Sequence, residues 1–213
     1  ITLGDRIYRT SLSKLYFDTL AEANDMIAFE QSEQFLTAMY LFDETELNHY
    51  IQENKDERMI ASLIYIDNYE EALDSIEEVK RSLLVALVDR KINKYFSGVD
   101  ALVRKIEKDK YFVVFRHKFL SRLQEDKFSL LEDVKNVRVG NEMAVTLSIG
   151  IGDEGSSYNQ NYDYARMAID LALGRGGDQV VVKEGEKISY YGGKSKQVEK
   201  MTRVKARVKA HAL

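Results

Sequence analysis

Apolar residues recur along this chain in two rhythms, and the two meet at residues 59–69, MIASLIYIDNY. Residues 61–66 form a short, mainly apolar run, partly β-branched and aromatic, with the length of a buried strand and too short for a buried helix. Asp67 and Asn68 end it. Tyr69, Ala72, Leu73, Ile76, Val79, Leu83 and Leu87 then recur at steps of three and four, which predicts an amphipathic helix over 69–96 with a break near 75–78. A strand feeding straight into a helix sets Asp67 and Asn68 at its carboxyl end, where open α/β sheets carry ligands.

The same reading extends both ways. Residues 1–17 read as a β-hairpin turning at Gly4–Asp5, 21–34 as a polar excursion or short helix, and 35–42 as a second strand-like run. Asp43 opens DETE, a helix cap with a carboxylate three residues on, and predicts a helix to about Glu57. Three strands do not make an independent core, so the first 43 residues read as one end of a cut domain or as an extension packed on the rest of the chain. Downstream, 101–106 and 110–116 read as strands joined by the charged turn Glu107-Lys108-Asp109, and 118–136 as helical. Residues 144–150 read as a buried strand ended by Gly150 and Gly152. A helix over 162–173 is closed by Gly174 and the Gly176–Gly177 pair, and 179–183 with 187–191 form a final hairpin across Gly185. That order predicts an α/β (α+β) chain: a ferredoxin-like sandwich around one central, mixed and mainly antiparallel sheet.

Composition narrows the class. With 213 residues, 45% hydrophobic and 31% charged, the chain has room for one good core plus a smaller module. No run approaches the ~18 apolar residues that a membrane span needs. Ile1 is not an initiator and polar residues come directly after it, so the chain reads as a mature or excised segment. The absence of cysteine excludes disulfides and thiolate metal sites and fits a cytosolic compartment. A net charge of −4 argues against general nucleic-acid binding, yet residues 194–213 carry seven Lys/Arg against the single Glu199. There Val198, Met201, Val204, Val208 and Ala212 share one helical face, which suits a membrane surface, a nucleic acid or a connector helix docking on a further domain.

Candidate chemistry is sparse. Asp67 and Asn68 suit helix capping as well as ligand binding. Lys108, Asp109 and Lys110 make either a solvated hairpin tip or a cation pair around a carboxylate. Residues 174–178, GRGGD, come after a helix, whose carboxyl end repels phosphate, so a helix cap and turn is the better reading. His49, His117 and His211 are isolated and fit neither a zinc site nor a triad, and each reads as solvated.

A strand ending IDNY, a charged hairpin turn, TLSIG and then LALGRGGDQV resemble, in degenerate form, the GGDEF domain of diguanylate cyclases. The tail, from LALGRGGDQVVVK to KAHAL, is similar to that of GdpP/YybT-type cyclic-di-AMP phosphodiesterases. The resemblance covers about 57–213, and it places Tyr65 at the first metal-binding Asp of the cyclases and Asp67 at the second. The GGDEF hairpin falls on 107–111. Both glycines are lost there, Asp109 keeps the metal-ligand type and Lys110 reverses its neighbour's charge, so one carboxylate remains of the two that hold Mg²⁺ against a triphosphate. Leu73 stands for the guanine-reading Asn and Leu173 for the phosphate-contacting Lys, while Gly98 and Ala101 erase the product-inhibition motif.

The resemblance therefore implies no diguanylate cyclase activity. It leaves ATP with Mg²⁺ as a ligand, with Asn68, Lys108 and Lys110 as nucleotide contacts, Asp109 as metal ligand, and Asp109 and Asp67 as candidates for a slow ATPase. It further implies a PAS-derived end over 1–43, a signalling helix over 44–57, a degenerate GGDEF domain over 58–192 and a connector over 193–213 towards an absent DHH phosphodiesterase domain that binds Mn²⁺. The parent would be anchored by upstream membrane helices, with this segment in the cytoplasm. Complete PAS domains of the family are linked to haem, for which this half-domain offers no assignable iron ligand. Two further readings stand beside the regulatory one: a nucleotide-sensing or weakly ATP-hydrolysing domain, and a module for homodimerisation.

Overall fold

Residues 1–16 and 35–193 are described by a computed structural model, and the chain divides into two compact units, Ile1–Lys55 and Asp56–Leu213. The stretches expected at 21–34 and 194–213 lie outside the described residues. In the first unit β1 (Thr2–Leu3) turns at Gly4, whose φ of +62° suits glycine, into β2 (Arg6–Tyr16). The latter pairs antiparallel with β3 (Phe35–Asp43), from Tyr8 opposite Asp43 to Tyr16 opposite Phe35. Helix α1 (Thr45–Glu57) comes next. Its start is set by Asp43, whose carboxylate accepts from the Thr45 N–H at 3.0 Å and hydroxyl at 2.6 Å. Those two bonds hold the Asp43 carboxyl below the usual carboxylate range. No residue of α1 is buried, and Leu12, Met39, Leu47, Tyr50 and Ile51 are exposed. Among the described residues of this unit none is buried, in line with the expectation that three strands do not make an independent core.

The second unit is built on a six-stranded sheet in the order β5-β6-β4-β7-β8-β9. Its strands are β4 (Met59–Ile66), β5 (Leu102–Glu107), β6 (Lys110–Arg116), β7 (Leu147–Asp153), β8 (Gln179–Glu184) and β9 (Lys187–Gly192). Only the β7–β8 pair is parallel, so the sheet is mixed and mainly antiparallel. β4 is central and mainly apolar on both faces, with Ser62 its one buried polar residue, as its apolar run led one to expect. One face (Ile60, Ile64, Ile66) joins Tyr111, Val113, Phe115, Ile149 and Val180 under helices α2 (Tyr69–Asp74), α3 (Glu78–Ser97), α4 (Leu120–Glu125) and α5 (Leu130–Lys135). The other (Ala61, Leu63) packs against Ala165 and Ile169 of α6 (Tyr158–Gly174).

Four expectations are corrected. The long helix does break, at 75–77, but the break resets its register: α3 buries Leu84, Val88, Ile92 and Phe96, and leaves Val79 90% exposed. The helical stretch over 118–136 is two short helices, because Lys127 and Phe128 adopt φ of +52° and +54° and turn Phe128 into the core against Tyr191. Helix α6 starts one turn early, at Tyr158, where the Ser157 hydroxyl accepts from the Gln160 N–H. And Gly150 and Gly152 do not end β7; they lie inside it. A Cβ at Gly152 would stand 1.9 Å from the Asn161 carbonyl, and one at Gly150 would stand 2.4 Å from the Ile169 nitrogen, so both glycines admit the α6 backbone onto the strand.

Candidate functional site

The carboxyl end of β4 gathers the residues singled out in the sequence, and most of them are already engaged. Asp67 lies just beyond Ile66. Its Oδ1 accepts from the Ser148 hydroxyl of β7 at 2.5 Å and its Oδ2 from the Asp178 N–H at 2.9 Å. Gly177, at φ +74°, passes so close that a Cβ there would lie 2.8 Å from this carboxylate. The GRGGD turn is thus a helix end, with the Gly177 N–H donating to the Ala172 carbonyl at 3.0 Å, and its glycine pair also lets the chain run alongside Asp67.

Asn68 stands at the cap position of α2, yet its side chain makes no cap bond. Its Oδ1 accepts from the Thr146 N–H at 3.1 Å and its Nδ2 donates to the Ala144 carbonyl at 2.8 Å. The carboxamide thereby imitates a backbone partner for 144–146 just before β7. Neither Asp67 nor Asn68 makes the capping bond that their position suggested.

The hairpin tip sits beside this corner, because the Asp109 carbonyl accepts from the Ile66 N–H at 2.9 Å. Lys108 is ion-paired with Glu70 of α2 and stands 5.8 Å from the centre of the Tyr69 ring. Lys110 pairs with Glu107 at 2.8 Å and stands 5.3 Å from the Tyr65 ring centre. The hydrogen bonds to Glu70 and Glu107 raise both ammonium groups above the ordinary lysine range. The Asp109 carboxylate makes no hydrogen bond or ion pair among the described residues. Nor do the described residues contain any group of three or more His, Cys, Asp or Glu side chains placed to hold a metal ion, so Asp67 and Asp109 form no ready cage for Mg²⁺.

Between this corner and α3 lies a pocket of about 10 Å³ lined by Ile66, Tyr69, Ala72, Leu73, Val88 and Val145 among others. That is room for about one water. Its walls are apolar, and Leu73 supplies one of them. A base ring finds neither space nor an edge-reading amide there as the side chains stand.

Sequence reading missed the other charges at this corner. Asp178, at φ +56°, meets Lys135 at 2.8 Å, and Lys135 also meets Glu132 at 2.7 Å. Burial raises the Asp178 carboxyl above its usual range despite Lys135, and its Oδ1 is buried without a hydrogen-bond partner. The folded state thus holds this proton more tightly than the unfolded chain, so its contribution to stability is present at acid pH and is lost as pH rises through the raised value. Asp178→Asn, which tolerates the left-handed backbone, removes that loss. The stability of the variant relative to wild type should therefore increase between pH 3.5 and pH 7, read by urea unfolding at each pH.

His117 is not simply solvated. Its Nδ1 lies 2.5 Å from the Asp153 carboxylate, which is 2% exposed, at the opposite end of the sheet from Asp67. Nearby Arg58 donates to the Gly155 carbonyl at 2.5 Å, and Glu57 is held by Arg116 and Lys118 at 2.9 and 2.5 Å. Distance in sequence hid all of these pairs.

Strand order, helix placement and the β4 corner define a GGDEF-type fold. The solved GGDEF domain of DgcB from Caulobacter crescentus, in complex with c-di-GMP, matches with a TM-score of 0.50 at 16% identity, over 68% of this chain and 88% of that one. Residues 64–190 match the family described as cyclic-di-AMP phosphodiesterase GdpP-like, GGDEF domain, and the chain belongs to that family. Among curated relatives, the cyclic-di-AMP phosphodiesterase GdpP of Geobacillus thermodenitrificans is 36% identical over 82% of this chain and 27% of its own length. The cyclic-di-AMP phosphodiesterase PdeA of Listeria monocytogenes is 36% identical over 92% of this chain and 28% of its own. The chain thus spans about a quarter of the relatives it matches. Among the described residues no helix is long and apolar enough to cross a membrane.

Proposed function

We propose that this chain is the cytoplasmic regulatory segment of a membrane-anchored cyclic-di-AMP phosphodiesterase: a PAS-derived end, a signalling helix, a GGDEF-type domain that makes no cyclic dinucleotide, and a connector to a DHH catalytic domain that binds Mn²⁺. The observation that carries it is the state of the β4 corner. Asp67 ties β4 to β7 and to the turn before β8, Asn68 ties it to 144–146, and Lys108 and Lys110 are neutralised by Glu70 and Glu107. A site whose polar groups are spent on holding the fold suits transmission better than turnover. Family membership and the names of the relatives support cyclic-di-AMP hydrolysis as the reaction of the whole protein.

In this reading a signal in the first unit shifts α1, and the sheet carries the shift towards the connector; a change of this kind needs two states with different contacts. The test is deletion of residues 1–57 from the intact parent, with cyclic-di-AMP hydrolysis then measured with and without the stimulus. Altered basal rate or lost response is the expected result, and unchanged regulation overturns the proposal. With GTP and Mg²⁺ the 213-residue chain is expected to form no c-di-GMP.

A second reading rests on Asp109, whose carboxylate has no ion pair among the described residues, at a tip flanked by two lysines. It would make the chain a slow Mg²⁺-dependent ATPase. Phosphate release abolished by Asp109→Ala would establish it.

A further inference from the structure

Helix α6 packs on β4, β7 and β8, and the same side of the sheet continues past it over β6 and β5. Arg104 lies directly opposite Phe112, and Leu102 opposite Val114, so these four share that side. Between them and the first turns of α6 lies a cleft of about 460 Å³, whose lining includes Met59, Phe112, Val114, Tyr158, Asn159 and Tyr162. Its size falls in the range of small-molecule sites, roughly 300–1,000 Å³. It opens beside the start of β4, the opposite end of the strand from Asp67 and Asp109.

The walls are aromatic. The Phe112 and Tyr162 ring centres are 5.9 Å apart at 75°, and Tyr158 stands one helical turn before Tyr162. Two cations flank the rings: Arg104 beside Phe112, and Arg166 one turn beyond Tyr162 on α6. Both are exposed, and neither has an ion-pair partner among the described residues. The Asn159 carboxamide is exposed on the lining, whereas that of Asn161 is committed to the Gly155 N–H and the Met59 carbonyl. Stacking surface, free guanidinium groups and an uncommitted amide are the three features that bind a base, its phosphate and its polar edge.

We propose that this cleft is a binding site for a nucleoside phosphate, with the base stacked against Tyr162 and Tyr158, the phosphate met by Arg104 and Arg166, and the base edge within reach of Asn159. The proposal does not rest on the regulatory reading above. The cleft is a second site, separate from the β4 corner.

The test is calorimetric titration of the 213-residue chain with AMP, and with inorganic phosphate, for wild type, Arg104→Ala, Tyr162→Ala, Tyr162→Phe and Asp109→Ala. Saturable AMP binding is expected, about tenfold weaker in Arg104→Ala and in Tyr162→Ala. It should be retained in Tyr162→Phe, which keeps the ring, and in Asp109→Ala, which lies at the other end of β4. Thermal midpoints within about 2 °C of wild type would show that these exposed positions leave the fold intact. The proposal is overturned by failure of AMP to bind, by binding that both alanine variants leave unchanged, or by phosphate binding as tightly as AMP. Self-association abolished by Tyr162→Ala and insensitive to AMP would also overturn it, since a second copy would then fill the cleft.

Discussion

Alanine at Gly152 is expected to lower the unfolding free energy of the second unit by about 4 kcal/mol, the range reached when a backbone contact in a packed core is forced apart. The added carbon would stand 1.9 Å from the Asn161 carbonyl and 2.4 Å from the Ala165 nitrogen. Both are backbone atoms of α6, so no side chain can swing aside; the helix itself must lift. Lifting it separates Ala165 and Ile169 from Ala61 and Leu63, and strains the Asn161 amide that ties β4 to the loop after β7. Gly174→Ala is the matched control. It lies in the last turn of the same helix with nothing within 4 Å of an added Cβ, and is expected to be neutral or slightly stabilising. Urea unfolding of both variants, monitored by circular dichroism, reads the contrast, and equal midpoints would show that α6 does not rest on β7 as closely as this.

The contrast also marks where the sequence was legible. Periodicity found β4, the β5–β6 hairpin and the final hairpin within a residue or two, because a strand buried on both faces and a charged turn between apolar runs are local signals. The two glycines in TLSIGIG are ambiguous locally. They could end a strand or admit a neighbour, and which of the two holds depends on a helix that arrives later in the chain. Phe128 and Lys127 show the same limit, since a left-handed pair inside a helical pattern is dictated by where Phe128 must be buried. At the β4 corner the sequence placed Asp67, Asn68 and the hairpin tip together through the family resemblance. It did not show what they hold. Ser148, Thr146 and Asp178 lie 78–111 residues from their partners Asp67 and Asn68, and no pattern short of the fold pairs them.

Asp67→Ala is the second large effect expected, at about 3 kcal/mol, and it distinguishes a structural carboxylate from a catalytic one. Removing the side chain leaves the Ser148 hydroxyl, on a residue with no solvent exposure, and the Asp178 N–H without their acceptor. The charge-assisted bonds lost are of the kind worth about 1.5–3 kcal/mol each, offset in part by water entering the gap. Asp67→Asn keeps one acceptor oxygen and is expected to recover about half of the loss. Magnesium supplies the discriminating readout, since an ion bound to the native state raises the unfolding midpoint with its concentration. With both Asp67 oxygens already accepting hydrogen bonds and no third ligand grouped with Asp109 among the described residues, the wild-type midpoint is expected to stay flat up to millimolar Mg²⁺ in the absence of nucleotide. A midpoint that climbs with Mg²⁺ in the wild type and stays flat in Asp67→Ala would instead make Asp67 a metal ligand, with its bonds to Ser148 and Asp178 orienting the ligand rather than locking the sheet.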